Sequence, residues 1–280
     1  MFQTPIFIPS RSRANRLSKG VLSKLPHDIR KYTSLVVPQN QVQEYVDEVT
    51  RLGYWTTVFG SDSEGIAATR KEIGTIAKNH SCKTFIMLDD DLTDWATRIS
   101  PDTHKLRQST PDDMIEMFTW VESTLVDYAH VSISPRGNNM IRNSQGVWIG
   151  EKPLTQENVR TIRFLAYQTE PFLSVEHGRV PVMEDFDVNL QLLEKGYKNI
   201  QSFWWTQDQR QTALPGGCSD YRDLQLHESG ARKLQELHPQ FVTLREKQNK
   251  SKVTYNKEFT KRIEVVVQWK KAYESSVKKT

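Results

Sequence analysis

Cysteine is nearly absent: only Cys82 and Cys218 occur in 280 residues, and neither belongs to a closely spaced pair. That excludes a disulfide framework and a cysteine-built metal knuckle, so both read as free thiols. No apolar run approaches the roughly 18 residues that cross a bilayer, and the opening MFQTPIFIPS lacks the charged start and cleavage pattern of a signal peptide. A cytoplasmic protein without a membrane partner is expected. Also missing are a glycine-rich lysine loop for nucleoside triphosphates, a dinucleotide fingerprint, a paired-histidine zinc motif and a nucleophile elbow. There is no internal repeat.

What is present suits a folded chain, with 37% hydrophobic and 26% charged residues. The formal charge of +4 is unevenly spread: residues 1–31 carry seven Lys/Arg against one Asp, and residues 245–280 carry eleven against four acids. The ends thus contribute +6 and +7 and leave −9 for the middle. Basic ends around an acidic centre permit a polyanionic partner, although lysine-rich termini also serve as solvated faces.

Up to Asp91 short β-branched runs alternate with amphipathic ones. Strands are predicted at residues 6–8, 34–37, 56–59 and 84–88. Between them fall a basic turn and helix over 11–25, a helix from Val42 that Gly53 stops, and a helix opened by Gly65. Strands alternating with helices imply an α/β fold with a largely parallel central sheet. Further on, Thr110 with Pro111 and Asp113 starts a helix, and residues 131–134 return as a strand. Residues 136–150 read as a loop or hairpin, and Val159, Ile162 and Leu165 as one face of a helix. Residues 184–195 form a helix ended by Gly196, 197–205 a strand, Gly216 and Gly217 a turn, and 229–237 a helix. The basic tail from Arg245 has helical apolar spacing at best.

The densest chemistry is FIMLDDD, residues 85–91, where an apolar strand delivers Asp89, Asp90 and Asp91 at its carboxyl end. Ligands bind there in open α/β sheets. Adjacent carboxylates repel, and a hard divalent cation, Mg²⁺ or Mn²⁺, offsets that cost and also binds a diphosphate. An acidic surface loop without an ion is the alternative. Glu184, Asp185 and Asp187 head a helix, where the dipole alone favours acids, but one of them could also act as a general base. Arg11, Arg13 and Arg16 follow the first strand and Arg70 lies one turn into the Gly65 helix, placed to pair with phosphate. Gly216 and Gly217 would admit a ligand close to the backbone, with Arg222 nearby. His227 is a candidate imidazole ligand. Phe203, Trp204 and Trp205 offer stacking surfaces or core.

In order, IPSRSRANR, the segment from Gly65 to Arg70, FIMLDDD and VMEDFDVNLQLLEKGYKN resemble the nucleotide-sugar glycosyltransferases of the GT-A fold over about residues 3–205. Within them FIMLDDDL, GGCSDYR at 216–222 and HPQFV at 238–242 look like the TET-associated glycosyltransferases of bacteriophages. The resemblance implies a GT-A (Rossmann-like) domain over 1–244, with a nucleotide-sugar-binding half, 1–91, and an acceptor half, 92–244, then a basic, helical C-terminal extension over 245–280. It implies that Asp89 and Asp91, with His227, hold Mn²⁺ or Mg²⁺. Pro9, Arg11, Arg13, Arg70, Asp89, Asp90, Gly216 and Gly217 would hold a nucleoside-diphosphate sugar, a UDP-sugar first among them. Asp185 or Glu184 would deprotonate the acceptor, with inversion at the anomeric carbon.

The implied acceptor is 5-hydroxymethylcytosine in phage DNA, modified in the host cytoplasm. Three other readings remain open: transfer to a polysaccharide or lipopolysaccharide, a metal-dependent nuclease or nucleotidyltransferase, and a DNA-binding module without catalysis. Release of nucleoside diphosphate without DNA cleavage separates the transferases from the nucleases. DNA affinity unchanged by a chelator marks the binding module.

Overall fold

The structure, a computed structural model, describes residues 2–136, 140–142, 148–151, 153–209, 223–248 and 261–278. Strands β1 (Ile6–Pro9), β2 (Thr33–Pro38), β3 (Thr57–Ser61) and β4 (Thr84–Leu88) alternate with helices α1 (Val21–Lys24), α2 (His27–Arg30), α3 (Val42–Arg51) and α4 (Ile66–Asn79). The four strands are parallel, in the order β3-β2-β1-β4. Their side chains alternate between two cores. Ile6, Ile8, Leu35, Val37, Ile86 and Leu88 pack with α3 and residues further along the chain, while Phe7, Val36, Phe85 and Met87 pack against Ile73 and Ala77 of α4. A strand buried on both faces needs apolar residues at every position, which is why these runs are continuous.

The chain continues through β5 (Leu92–Arg98), β6 (Leu106–Gln108), α5 (Pro111–Thr124), β7 (His130–Pro135) and a pair of short strands, β8 (Met140–Arg142) and β9 (Trp148–Glu151). Then come β10 (Thr155–Glu157), β11 (Phe164–Gln168), α6 (Thr169–Leu173), α7 (Glu184–Glu194), β12 (Asn199–Gln209) and α8 (Leu224–Leu237). A hairpin of β13 (Val242–Gln248) and β14 (Lys261–Val267) precedes α9 (Trp269–Val277). The described sheet has ten strands in the order β3-β2-β1-β4-β11-β7-β12-β5-β6, with β10 on β12. Only β5, β10 and β11 of these run against β1 to β4. Helices cover both faces, so the α/β expectation holds. No described helix is long and apolar enough to cross a membrane.

Local rules account for several boundaries. Thr110 and Asp113 form a reciprocal capping box at the start of α5, with N–H to oxygen distances of 2.7 and 3.2 Å. Gly53, at φ 67°, ends the turn that follows α3.

Four expectations need correction. The helix predicted through Val159, Ile162 and Leu165 is instead β10, a connector and β11. Asn158 and Arg163 have φ of 52° and 67°, which a right-handed helix cannot hold, and residues from Phe164 pair with β4. The helix predicted over 11–25 shrinks to a 3₁₀ turn (Ala14–Arg16) and α1, because Ser12 takes φ 56°. α8 starts earlier than residue 229, where the Asp223 carboxylate accepts the Leu226 N–H at 2.6 Å. The C-terminal extension is a hairpin plus a helix, since the β-branched run Val265, Val266 and Val267 pairs with β13, and residue 245 lies inside that strand.

The hairpin and α9 share a third core with α7 and α8, made of Phe186, Leu190, Leu193, Leu234, Val242 and Ala272, with Trp269 edge-on to Phe186 at 5.4 Å. Phe203 and Trp205 are buried, so these two pack rather than stack on a ligand, and Trp204 is half-buried against the first core.

Candidate functional site

The three aspartates leave the sheet where β4 ends and turn at once into β5. The loop after β1 grips that turn. Val21 N–H donates to the Asp90 carbonyl at 3.1 Å, and Gly20 lies so near that a Cβ there would stand 2.6 Å from the same oxygen. Ser10 Oγ donates to Asp90 Oδ2 at 2.6 Å and Arg13 Nη1 to Asp90 Oδ1 at 2.5 Å. Tyr45 OH accepts the Arg13 N–H at 3.0 Å and shares a 2.8 Å bond with Ser10. Burial pushes this phenol up to about 12, so it stays protonated. Burial raises Asp90 as well, against the pull of Arg13 and Ser10. Asp90 therefore fastens the loop.

Arg70 joins the two acidic motifs. Its Nη2 donates to Asp89 Oδ1 at 2.9 Å and its Nη1 to Glu184 Oε1 at 2.7 Å. Burial opposes the guanidinium charge, but Glu184 and Asp89 outweigh it and hold the group cationic. Glu184 Oε2 is also buried and has no hydrogen-bond partner among the described residues. Asp185 is pushed up to about 6 by burial and by the charge of Glu184, against Arg70 and Arg160. Two strained residues frame this pair. Met183 enters α7 at φ 66°, and Arg163, at φ 67°, presents the carbonyl that accepts the Asp89 N–H at 3.0 Å. Left-handed backbone at non-glycine residues persists where the surroundings enforce it, and it gathers at functional sites.

Asp91 is the least compensated of the three. Burial and the charges of Asp89 and Asp90 push it up to about 7, and Arg13 lies 3.8 Å away. Among the described residues no three His, Cys, Asp or Glu groups converge to hold a metal by themselves. The donors nevertheless fit a hard cation, because Asp89 and Asp91 are partly exposed oxygen ligands whose mutual repulsion an ion would relieve. Mg²⁺ and Mn²⁺ sites commonly need one or two carboxylates, with phosphate oxygens and water completing the shell.

Two cavities flank the turn. One, of about 350 Å³, is lined by Ser10, Arg13, Arg16, Gly20, Asp90 and Asp91. The other, of about 430 Å³, is lined by Arg70, Asp89, Glu184, Asp185 and His227, with Arg160, Arg163, Gln209 and Arg262 around them. His227 is thus brought to the acidic pair. Pro9 is buried at the end of β1, beside Val36, and Arg11 is exposed on the loop. Gly216, Gly217 and Arg222 lie outside the described residues.

Asp187 belongs elsewhere: it bonds Arg179, and His238 Nε2 at 2.9 Å. Ser10, Tyr45, Arg160 and Arg163 were missed in the sequence. The serine and tyrosine carry no local signal, and the arginines were hidden by the mistaken helix.

An α/β sheet with three aspartates at the end of β4 and an acidic pair at the head of α7 defines the class, and the sequence match defines the family. Residues 4–216 match the TET-Associated Glycosyltransferase family, and the chain belongs to it. It is a glycosyltransferase with an α/β fold built on a mostly parallel sheet. The β-glucosyl-HMC-α-glucosyl-transferases of Enterobacteria phages T2 and T6 are each 24% identical over 250 residues, covering 84% of this chain and 80% of theirs. Among solved structures, residues 1–349 of Staphylococcus aureus TarS align with a TM-score of 0.45 and 12% identity, over 71% of this chain and 57% of that one.

Proposed function

We propose that this chain transfers a sugar from a nucleoside-diphosphate donor, a UDP-sugar in the first instance, to the hydroxyl of 5-hydroxymethylcytosine in DNA. The reading rests on one observation above all: a buried Glu184 oxygen without a partner among the described residues and a raised Asp185 carboxyl line the cavity that Asp89 also faces. The names of the phage T2 and T6 relatives, whose acceptor is HMC already bearing a β-glucosyl group, support an HMC-containing acceptor without specifying its hydroxyl, and the basic C-terminal residues Lys270, Lys271 and Lys278, exposed around α9, suit a polyanion. Phage DNA as acceptor puts the reaction in the host cytoplasm.

Asp185 acts as the base. Among the described residues it makes no ion pair, whereas Glu184 is tied to Arg70 at 2.7 Å, and a carboxylate raised to about 6 is ionised at neutral pH yet more basic than usual. The acceptor oxygen attacks the anomeric carbon, the bond to the diphosphate oxygen breaks, and the hydroxyl proton passes to Asp185. Glu184, fixed by Arg70, keeps Oε2 free to orient the hydroxyl. Arg13, Ser10 and Asp90 shape the donor side. A divalent cation on Asp89 and Asp91, with His227 as a further ligand, would neutralise the departing diphosphate.

The test is incubation with Mn²⁺, a panel of sugar nucleotides and hydroxymethylated DNA, followed by mass spectrometry of the digested nucleosides. A hexose or pentose mass added to hydroxymethylcytidine is expected. Sugar found only on an added polysaccharide, or cleaved DNA, overturns the reading.

A further inference from the structure

Four arginines reach the larger cavity, and they differ in what holds them. Arg70 is occupied by two carboxylates. Arg163 approaches Asp208 only to 4.0 Å, and Arg160 lies over the Phe186 ring at 4.6 Å without a carboxylate bond. Arg262 is exposed and has no ion pair among the described residues, although its strand neighbours are paired, Lys261 with Glu246 at 2.8 Å and Glu264 with Lys247 at 2.5 Å. Among the described residues Arg160 and Arg262 therefore make no carboxylate bond, and Arg163 has only its long approach to Asp208.

Their positions are fixed by packing. Phe186 follows Asp185 in the chain, carries Arg160 on its ring and meets Trp269 edge-on. Trp269 in turn belongs to the core that seats the β13–β14 hairpin, from which Arg262 projects into the cavity wall. The hairpin is thus tied to the residue beside the base. Planar forked guanidinium groups arrayed on one rim match phosphate oxygens better than a sugar or a neutral base.

We propose that Arg160, Arg163 and Arg262 form a phosphate-binding rim that seats a phosphodiester of the acceptor strand beside the nucleotide receiving the sugar. This rests on the DNA-acceptor reading above. The donor diphosphate is the other source of the same chemistry. Asp89 and His227, assigned to the cation, line the same cavity, so the cavity alone does not separate the two; the acceptor is favoured because Arg160 lies 4.6 Å from the ring of Phe186, the residue next to Asp185. The hairpin becomes a wall of the acceptor site.

The experiment compares the full-length parent with Arg262→Gln, Arg160→Gln and Arg262→Lys, with melting curves to verify folding. Three quantities are measured: binding to hydroxymethylated duplex DNA across a salt series, KM for the sugar nucleotide, and transfer to free 5-hydroxymethyl-2′-deoxycytidine, which has no phosphate. Each Gln variant should bind DNA about tenfold more weakly and lose about 0.9 from the log–log salt slope. For Arg262→Gln, donor KM and transfer to the free nucleoside should stay at the parent's values, and Arg262→Lys should keep most of the slope; Arg160→Gln, whose charge also acts on Asp185, is read through DNA binding alone. A raised donor KM with parental DNA binding would assign the rim to the diphosphate and overturn the proposal. An unchanged salt slope, or equal losses on both acceptors in Arg262→Gln, would overturn it too. A parent enzyme that neither binds nor modifies DNA removes the functional reading itself, a result separable from a parent that is active on DNA with silent variants.

Discussion

Asp185 and Asp187 stand two positions apart at the head of one helix, yet they occupy opposite electrostatic situations. Asp187 accepts from Arg179 and His238 and is held below the ordinary carboxylate range by those partners despite its burial. Among the described residues Asp185 has no such partner and accepts the Phe186 N–H at 3.1 Å, and burial beside Glu184 pushes it up to about 6. Two residues turn a helix by about 200°, so the neighbours face different surroundings. The helix N-terminus favours both acids equally and cannot explain the contrast. A structural acid has its charge satisfied, whereas a base is left in want of a proton.

Replacing each acid in turn breaks the comparison most sharply. Asp185→Asn should lower transfer by about 100-fold or more with donor binding retained. Glu184→Gln should also retain donor binding and lose transfer. Asp187→Asn should leave turnover per folded molecule near the parent's but lower Tm by about 5–10 °C, because it strips a buried pair of one partner. Steady-state rates beside melting curves decide it. Parental transfer in both Asp185→Asn and Glu184→Gln would move the base elsewhere.

The next test extends the contrast to Asp91, the other raised carboxylate. A cation must displace its proton, so Mn²⁺-dependent donor binding should weaken by about tenfold for each pH unit below 7, and a chelator should abolish it. Asp91→Asn should remove that dependence. In the metal-free protein the same raised group favours folding fully at low pH and loses that contribution as pH rises through about 7. Asp91→Asn should therefore raise the metal-free Tm near pH 8 by about 1–3 °C. Calorimetry with and without Mn²⁺ reads both effects, and donor affinity equal in mutant and parent at all pH values would exclude Asp91 from the metal site.

Why these acids could be found in the sequence, and others of the site could not, follows from what each signal encodes. An apolar strand that stops at three aspartates carries its chemistry in local order, so Asp89, Asp90 and Asp91 were legible. The parallel β1 to β4 unit was legible for the same reason, as its continuous apolar runs alternate with amphipathic helices. Arg160 and Arg163 were not. The apolar residues at 159, 162 and 165 mimic a helical face although they belong to a loop and a strand, and only the left-handed Asn158 and Arg163 break the period. The hairpin was lost among its lysines, which hid the β-branched residues of β14. The division of labour on α7 was also hidden, because Arg70, Arg179 and His238 reach it from distant parts of the chain.

The smallest effect tests the satisfied side of the comparison. His238 donates through Nε2 to Asp187 and shares a 2.5 Å bond with Glu194 through Nδ1. Burial opposes its charge, but the two carboxylates outweigh that and raise its pKa above the ordinary value. A raised histidine stabilises the fold fully below its unfolded pKa of about 6.5 and loses that contribution as pH climbs through the folded value. Asp187, lowered, works the other way: its contribution is present above about 3.9 and is lost as pH falls through the folded value. Both act together between about pH 4 and 6.5. His238→Gln should therefore melt about 2–4 °C below the parent near pH 6, and the gap should narrow as pH rises past the folded pKa. A gap that stays constant with pH would mean that His238 is neutral in the fold and that Arg179 alone satisfies Asp187, leaving the contrast with Asp185 to rest on a single ion pair.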